Sequence, residues 1–326
     1  RKLNALKKQA AQLLERSGQV EDAAKLYLEA GEQQHLARIT VHHAREFIRH
    51  GRNRVVAEWA SAVSAGRIAD NPWISYWTGI CSFPFDMPRT REHLGKALVA
   101  FKVMDDTSGV YLSWAGIVDT YAFALDEWKH LDECITIFDD LRKTWPTFPT
   151  KEIDLIASSR MLISLILRKT DRPKWVQEWF SRVSALLEDN PSRDIQMDVI
   201  FFVSLYYMWK GEYQKNAILL EKAIAEVMHY SPSSFAAIRM KIMQGIHFWA
   251  TAQYDSALKT LSEGLDISRQ SGVRVFDSLL WSFKAASEMT VGGMDAAEIS
   301  LKNQMTTALA SGSTLDTFYY HLNSAW

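Results

Sequence analysis

Three side chains that could bind a metal ion, His42, Glu46 and His50, follow one another at intervals of four residues. On a helix this spacing places them on one face, and imidazole and carboxylate groups are common zinc ligands. The stretch has no HExxH spacing, however, and a zinc site needs a fourth ligand and supporting hydrogen bonds for which the sequence offers no candidate. We therefore interpret the three residues as a solvated helix face and predict no metal site.

Two pairs of adjacent carboxylates, Asp105–Asp106 and Asp139–Asp140, could in principle serve general acid and base catalysis. Neighbouring residues on a helix point apart, so we interpret both pairs as solvated helix caps. The sequence also lacks a GxxxxGK[ST] loop, a GxGxxG turn after a strand and a GxSxG elbow. We therefore predict no catalytic residues, no enzymatic activity and no cofactor in this chain.

The most regular stretch runs from residue 201 to residue 305 and contains three helical hairpins. Their turns, at Gly211, Ala252 and Gly292, follow one another at a nearly constant interval. A fixed period within the range of roughly 20–50 residues indicates a solenoid of stacked repeats. A glycine in a turn ends the preceding helix, because it adopts a positive φ without steric cost.

Residues at fixed offsets from each turn share a size. A small residue stands seven positions before the turn, a second small residue five or six after it, and a leucine nine after it. In order, these residues are Ser204, Gly245 and Ala285; Ala217, Ala257 and Ala297; and Leu220, Leu261 and Leu301. Alternating volumes let antiparallel helices pack closely. The pattern recurs around Gly18, Lys129 and Asp171. We predict an all-α, right-handed superhelical solenoid of tetratricopeptide-like helix pairs, with about sixteen helices and a repeat of about 40 residues.

Capping residues predict where several helices begin. Thr150 is a suitable N-cap for a helix over residues 151–167, and Ser192, Ser231 and Ser313 are expected to start later helices. No alternating apolar and polar segment is long enough to predict a strand.

Composition limits the classes of partner and the compartment. The 326 residues include 37 basic and 38 acidic side chains, a net charge of −1, so no basic excess favours nucleic acid. The apolar run 199–209 is too short to span a bilayer. Two cysteines without a CxxC spacing are typical of a reducing cytoplasm. We interpret the chain as one repeat domain, 1–326, irregular over about 1–105 and regular over about 106–326. Because it opens on Arg1 without a methionine, we expect this domain to be part of a longer protein.

The twelve tryptophans are the residues most suggestive of ligand binding. Trp59, Trp77 and Trp281 are expected in the core, whereas Trp209 and Trp249 lie two and three positions before their turns, off the packing rows. In tetratricopeptide-like hairpins the first helix lines the inner face, at positions about ten, six and three before the turn. These positions are Asp119, Phe123 and Asp126; Met161, Leu165 and Arg168; Phe201, Leu205 and Met208; and Ile242, Ile246 and Trp249, with Arg239 one turn earlier.

This surface combines apolar and aromatic side chains with charges of both signs, which suits an amphipathic peptide or a sugar-like ligand. The alternative is that these side chains pack on neighbouring repeats and line no groove.

The sequence resembles the helical-repeat region of MalT-like bacterial transcriptional regulators. The resemblance rests on the run Pro72–Gly79, on Arg91–Leu94 with Ala97 and Phe101, on Asp106, Gly109, Trp114 and Tyr121, and on Ser271-Gly272-Val273 with Asp277. It covers nearly the whole chain, and its motifs are packing motifs. No motif marks a residue that contacts an inducer.

The resemblance implies a neighbouring ATP-binding switch domain, a DNA-binding or activating module at one end, and a sensor role for the repeats. The sensor would bind a small-molecule inducer or a regulatory protein, with no direct nucleic-acid binding by this piece; a homo-oligomer formed through the full-length protein is compatible with this role. The alternative function is a scaffold whose groove holds another protein's peptide, without a transcriptional role.

Overall fold

The computed structural model describes residues 2–65, 71–124, 128–169, 171–189, 191–227, 232–311 and 314–325. Within these ranges the chain forms seventeen α-helices and one short 3-10 turn, Trp128–His130, and no strand. The predicted all-α fold is confirmed, and the count is close to the sixteen helices expected from the repeat.

The helices follow one another with short connections. They are α1 (Lys2–Arg16), α2 (Val20–Ala30), α3 (Gln33–Arg49), α4 (Asn53–Ala65), α5 (Pro72–Ser82), α6 (Met87–Met104), α7 (Thr107–Ala124), α8 (Leu131–Thr144), α9 (Lys151–Arg168), α10 (Pro173–Glu188), α11 (Arg193–Lys210), α12 (Tyr213–Val227), α13 (Ser234–Ala250), α14 (Tyr254–Ser271), α15 (Asp277–Thr290), α16 (Met294–Ser311) and α17 (Thr314–Ser324).

The chain divides into two compact units, residues 1–116 and residues 117–326. In the first unit α1 packs against α2, α3 against α4, and α5 against α6. In the second unit α9–α10, α11–α12, α13–α14 and α15–α16 form hairpins, and α9, α11, α13 and α15 also pack on one another in that order. Stacking of the first helix of each hairpin on the next is the arrangement that the constant repeat period predicts.

The regular turns share one backbone geometry. Gly211, Ala252 and Gly292 all have a positive φ, of 70°, 60° and 82°. After each of them the next amide donates to a carbonyl five residues back, as from Gln253 N to Phe248 O at 2.8 Å. This is the Schellman arrangement, which satisfies carbonyl groups left over at the end of a helix. Ala252 is unusual because its Cβ makes this conformation costly.

The small and large positions interlock as predicted. A Cβ added at Gly245 would lie 2.5 Å from Cδ2 of Leu261, so the leucine occupies the space that the glycine leaves. Ala257 and Ala297 are buried as expected, but Ala217 is half-buried. In that hairpin the buried position five residues after the turn belongs to Asn216, so the size pattern needs a correction there.

Local capping follows side-chain chemistry. Thr150 Oγ1 accepts from the amide of Ile153 and starts α9 as predicted. Ser192 is the N-cap residue of α11, but its side chain makes no capping hydrogen bond. The cap of α13 is Ser233, which accepts from the amide of Ala236; Ser231 and Ser313 lie outside the described residues.

Both cysteine thiols are buried and reduced. Burial raises the pKa of Cys81 and of Cys134 to about 12 in each case. Across the described ranges, no helix is both long enough and apolar enough to cross a membrane.

Candidate functional site

Four charged residues of alternating sign connect α7, α9, α11 and α13. Asp119 lies on α7, Arg160 on α9, Asp198 on α11 and Arg239 on α13. Arg160 donates from Nε to Asp119 Oδ1 at 3.0 Å and from Nη2 to Asp119 Oδ2 at 2.8 Å. Asp198 accepts from Arg160 on one oxygen and from Arg239 on the other. We call Asp119, Arg160, Asp198 and Arg239 the charge ladder.

The charge ladder is largely withdrawn from water. The side chains of Arg160 and Arg239 are 6% and 5% exposed. Burial raises the pKa of Asp119, opposed by the charge of Arg160. Burial also acts to raise the pKa of Asp198, but the charges of Arg160 and Arg239 outweigh it, and the pKa of Asp198 is lowered. Because each Asp198 oxygen faces a guanidinium group, this carboxylate holds three helices together.

Aromatic rings surround the last member of the ladder. The guanidinium carbon of Arg239 lies 4.3 Å from the ring centroid of Phe201, 5.0 Å from that of Phe123 and 5.4 Å from that of Phe202. Phe235 and Phe276 complete the group, with ring centroids 5.3 Å apart. We call Phe123, Phe201, Phe202, Phe235 and Phe276 the phenylalanine cluster. It fills the space between α7, α11, α13 and the start of α15.

Four residues of the predicted groove are therefore interior residues. Asp119 and Arg239 belong to the charge ladder, and Phe123 and Phe201 to the phenylalanine cluster. Oppositely charged and aromatic side chains from successive repeats complement one another here, so at this level the inner face packs on itself. This arrangement follows the alternative that the sequence left open for these four positions.

The other predicted groove positions differ in exposure. Met161, Leu165 and Ile242 are buried, and Leu205, Met208 and Ile246 are half-buried. Arg168 donates from Nε and Nη2 to Asp132 Oδ2 at 3.0 and 2.6 Å. The guanidinium group predicted to contact a ligand is thus paired with the neighbouring helix α8. Asp126 lies outside the described residues.

Trp209 and Trp249 keep an open surface. Their side chains are 40% and 37% exposed, at the last turns of α11 and α13. The ring of Trp249 meets Phe283 of α15 edge to face at 5.4 Å. Trp209 lies 6.1 Å from Tyr206, which stacks on Phe180 of α10 at 3.8 Å. Both indole rings therefore contact an aromatic neighbour and remain partly accessible to solvent.

Arg160 and Asp198 were absent from the sequence prediction, although a signal for them exists. The members of the charge ladder alternate in sign, and each follows the previous one by close to one repeat period. Opposite charges recurring at the repeat period indicate contacts between equivalent faces of neighbouring hairpins.

The first unit holds the residues considered for metal chemistry. His42, Glu46 and His50 are exposed, in agreement with a solvated face. A cleft of about 570 Å³ lies beside them, lined by Glu21, Asp22, His43, Glu46, Phe47, His50 and Arg52 among others. In the ranges that the structure describes, no group of three or more His, Cys, Asp or Glu side chains is arranged to hold a metal ion.

In each of the two pairs of adjacent aspartates, one carboxylate has partners of its own. Asp106 accepts from Trp73 Nε1 at 3.0 Å and from the amide of Gly109 at 3.0 Å. It therefore caps α7 and connects it to α5, which corrects the expectation of a purely solvated cap. Asp139 and Asp140 are exposed, as expected, but they lie within α8 and not at its cap; Asp140 pairs with Lys143 at the surface.

Comparison with known proteins identifies a fold and no family. No protein-family model and no curated protein sequence matches the chain. Among solved structures it is similar to a signal transduction ATPase with numerous domains (STAND) from Pyrococcus horikoshii that has a tetratricopeptide repeat sensor, with a TM-score of 0.61 and 12% identity. The match covers 100% of this chain and 49% of that one, so this chain spans about half of its length.

A second similar structure is a Rap protein complexed with competence and sporulation factor, with a TM-score of 0.57 and 10% identity over 100% of this chain and 98% of that one. At these identities the likeness shows a shared helical-repeat fold. The class of protein defined by fold and repeat is therefore a tetratricopeptide-like helical-repeat protein.

Proposed function

We propose that this chain is the sensor or interaction domain of a larger regulatory protein and that it binds a peptide segment of a partner. The observation that carries this proposal is the pair of accessible tryptophans, Trp209 and Trp249, at the ends of consecutive stacked helices. Aromatic side chains anchored by neighbours and open on one side are typical centres of binding energy at protein interfaces.

Two neighbours in fold support the class of function. The STAND protein uses its tetratricopeptide repeat as a sensor, and the Rap protein forms a complex with competence and sporulation factor. A stacked array of helix pairs offers a long, preformed surface, which favours extended or helical peptide ligands.

Selection from a phage-displayed library of random peptides tests the proposal. We expect selected peptides to bind the native chain and to lose about 30-fold or more in affinity with Trp209→Ala or Trp249→Ala, the loss typical of an aromatic interface anchor. Ile218→Ala is the matched control, because Ile218 is an exposed apolar residue of α12 in the Trp209 hairpin. Peptides that bind all variants equally, or a library without binders, would contradict the proposal.

The finer role proposed from the resemblance is the sensor of a MalT-like transcriptional regulator, with an inducer or regulatory protein as signal. The test is a panel of oligosaccharides and other small inducers. A true ligand, present at about 100 times its dissociation constant, should raise the free energy of unfolding by roughly 2.7 kcal/mol. The scaffold alternative is favoured if only peptides stabilise the chain. A P-loop or a helix-turn-helix encoded beside this segment would favour the regulator.

A further inference from the structure

The sequence continues the periodic series of alternating charges with a fifth residue, Asp277, which is not part of the charge ladder in the structure. Asp277 follows Arg239 by the same interval that separates Asp198 from Arg160. The series Asp119, Arg160, Asp198, Arg239 and Asp277 thus alternates in sign throughout, with each member close to one repeat period after the last. On the pattern of the first four, Asp277 would be the acidic partner of Arg239 on α15.

The Nε–H group of Arg239 is available to donate to such a partner. Its Nη1 donates to the Asp198 carboxylate and its Nη2 to the Asp198 carbonyl oxygen, but its buried Nε has no hydrogen-bond partner among the described residues. The whole residue is 4% exposed. A buried guanidinium N–H without an acceptor is costly, because it has lost water without a replacement.

The carboxylate of Asp277 is held by other groups, although the residue before it packs on the same rings as Arg239. The ring of Phe276, the residue before it, packs on Phe123 and Phe235, and the guanidinium of Arg239 packs on the same two rings. The Asp277 carboxylate, 1% exposed, accepts from Ser268 Oγ and from Arg274 Nη1, the latter at 2.8 Å.

The two arginines available to Asp277 differ in exposure. The side chain of Arg274 is 59% exposed and stands in the connection 272–276 between α14 and α15. Water or an acidic group of a binding partner can therefore compete for Arg274, whereas the phenylalanine cluster shields Arg239 from such competition. Loss of the Arg274 contact leaves the buried Asp277 carboxylate with the Ser268 hydroxyl as its donor, while the buried Nε of Arg239 still lacks an acceptor.

We propose that Asp277 is a two-position switch: it binds Arg274 in the present state and transfers to the Nε–H of Arg239 when an acidic group of a partner engages Arg274. The transfer extends the charge ladder from four helices to five and fixes α15 against α13. An event at the surface connection is thereby converted into a change in the packing of the inner helices. Its use as a signal rests on the proposed sensor function, whereas the transfer itself can be measured without any partner.

Nuclear magnetic resonance of the chain labelled with ¹⁵N at arginine Nε tests the transfer. The Arg239 Nε–H signal is assigned by its loss in Arg239→Lys. Arg274→Gln stands in for an engaged Arg274: the Arg239 signal should then move downfield, and its hydrogen exchange should slow about tenfold, as expected for a new charge-assisted hydrogen bond. Adding Asp277→Asn to Arg274→Gln should abolish both changes.

Arg269→Gln is the matched control, because Arg269 is an exposed arginine of α14 that pairs with Asp266 and should leave the Arg239 signal unchanged. An unaltered signal in Arg274→Gln, or the same shift with Asp277→Asn present, overturns the proposal. Failure of Arg274→Gln to fold also overturns it, because a carboxylate with a second partner does not become an unpaired buried charge. Peptide selection does not enter these measurements, so they fail or succeed independently of the proposed function.

Discussion

The ring of Phe123, on α7, lies 5.6 Å from the ring of Phe276, just before α15, centroid to centroid. Three hairpins separate these residues in the chain. Their contact means that α7 reaches the connection that precedes α15, and that the phenylalanine cluster joins the two. The cluster is filled by the chain's own side chains, whereas Trp209 and Trp249 are exposed at the ends of α11 and α13.

Breaking the charge ladder should lower stability far more than breaking an ion pair at the surface. Asp198→Ala leaves two buried guanidinium groups without their shared carboxylate, so we expect it to lower the free energy of unfolding by about 3–5 kcal/mol. The comparison is Asp132→Ala, whose partners Arg168 and Lys169 are about one-third exposed; it should cost only about 0–1 kcal/mol. Urea denaturation measures the free energy of unfolding of both variants. If Asp198→Ala loses no more of it than Asp132→Ala, the charge ladder is energetically equivalent to a set of surface ion pairs.

The size pattern predicts a steric limit at Ala257. This residue is fully buried at the packing position five residues after the Ala252 turn. Ala257→Trp inserts an indole into a filled space and should lower the free energy of unfolding by about 1–3 kcal/mol or more. Ile218→Trp, at an exposed position, is the control and should change stability little. An unchanged urea midpoint for Ala257→Trp would show that the position has unfilled space around it.

The turn at Ala252 should be improved by glycine. Ala252 has φ 60°, a conformation that its Cβ disfavours, whereas the equivalent turns use Gly211 and Gly292. We expect Ala252→Gly to stabilise the chain by about 0.5–1 kcal/mol, because relief of strain exceeds the added entropy of the unfolded chain. Gly211→Ala is the converse test and should destabilise. If Ala252→Gly destabilises instead, the alanine is not strained in solution.

The hairpins could be predicted from sequence because their determinants are local. A positive-φ turn and small residues at fixed offsets specify two helices within a single repeat, and the structure has them at those positions. Asn216 escaped the pattern because it is polar and occupies a position held by alanine in the next two repeats. Its burial depends on a side chain from the following hairpin, His247, whose Nδ1 lies 3.3 Å from Asn216 Nδ2.

The charge ladder and phenylalanine cluster could not be predicted residue by residue. Their contacts join helices that belong to different repeats, and which side chains meet depends on how each hairpin rotates on the last. Asp119 and Arg239 are predicted from the sequence to line a ligand groove, whereas in the structure they pair with Arg160 and Asp198 of neighbouring helices.

The two cysteines should be almost inert in the native chain. Burial raises the pKa of Cys81 and Cys134 from 9.0 to about 12. The thiolate is the reactive form, so at slightly alkaline pH both should react with Ellman's reagent about a thousandfold more slowly than in urea. The measurement is the rate of colour release with and without denaturant. Rapid native modification of either thiol would show that its helix opens readily.

His247 should make stability depend on pH. Its side chain is buried against Asn216, and desolvation lowers its pKa below the ordinary 6.5, although the charge of Glu221 acts in the opposite direction. Between the two values the unfolded chain binds a proton that the folded chain does not, so stability must rise with pH there. The contribution is complete above pH 6.5 and is lost as the pH falls through the lowered value of the folded state.

The free energy of unfolding, measured by urea from about pH 7.5 down to about pH 5, should therefore decline more steeply for the native chain than for His247→Gln. Glutamine can accept from Asn216 but does not titrate, so its curve isolates the contribution of this one imidazole. Burial also lowers the pKa of His43 and His93, and both remain in the two chains, so their effects cancel in the difference. Parallel curves would mean that His247 binds its proton equally well folded and unfolded, and would contradict the lowered pKa.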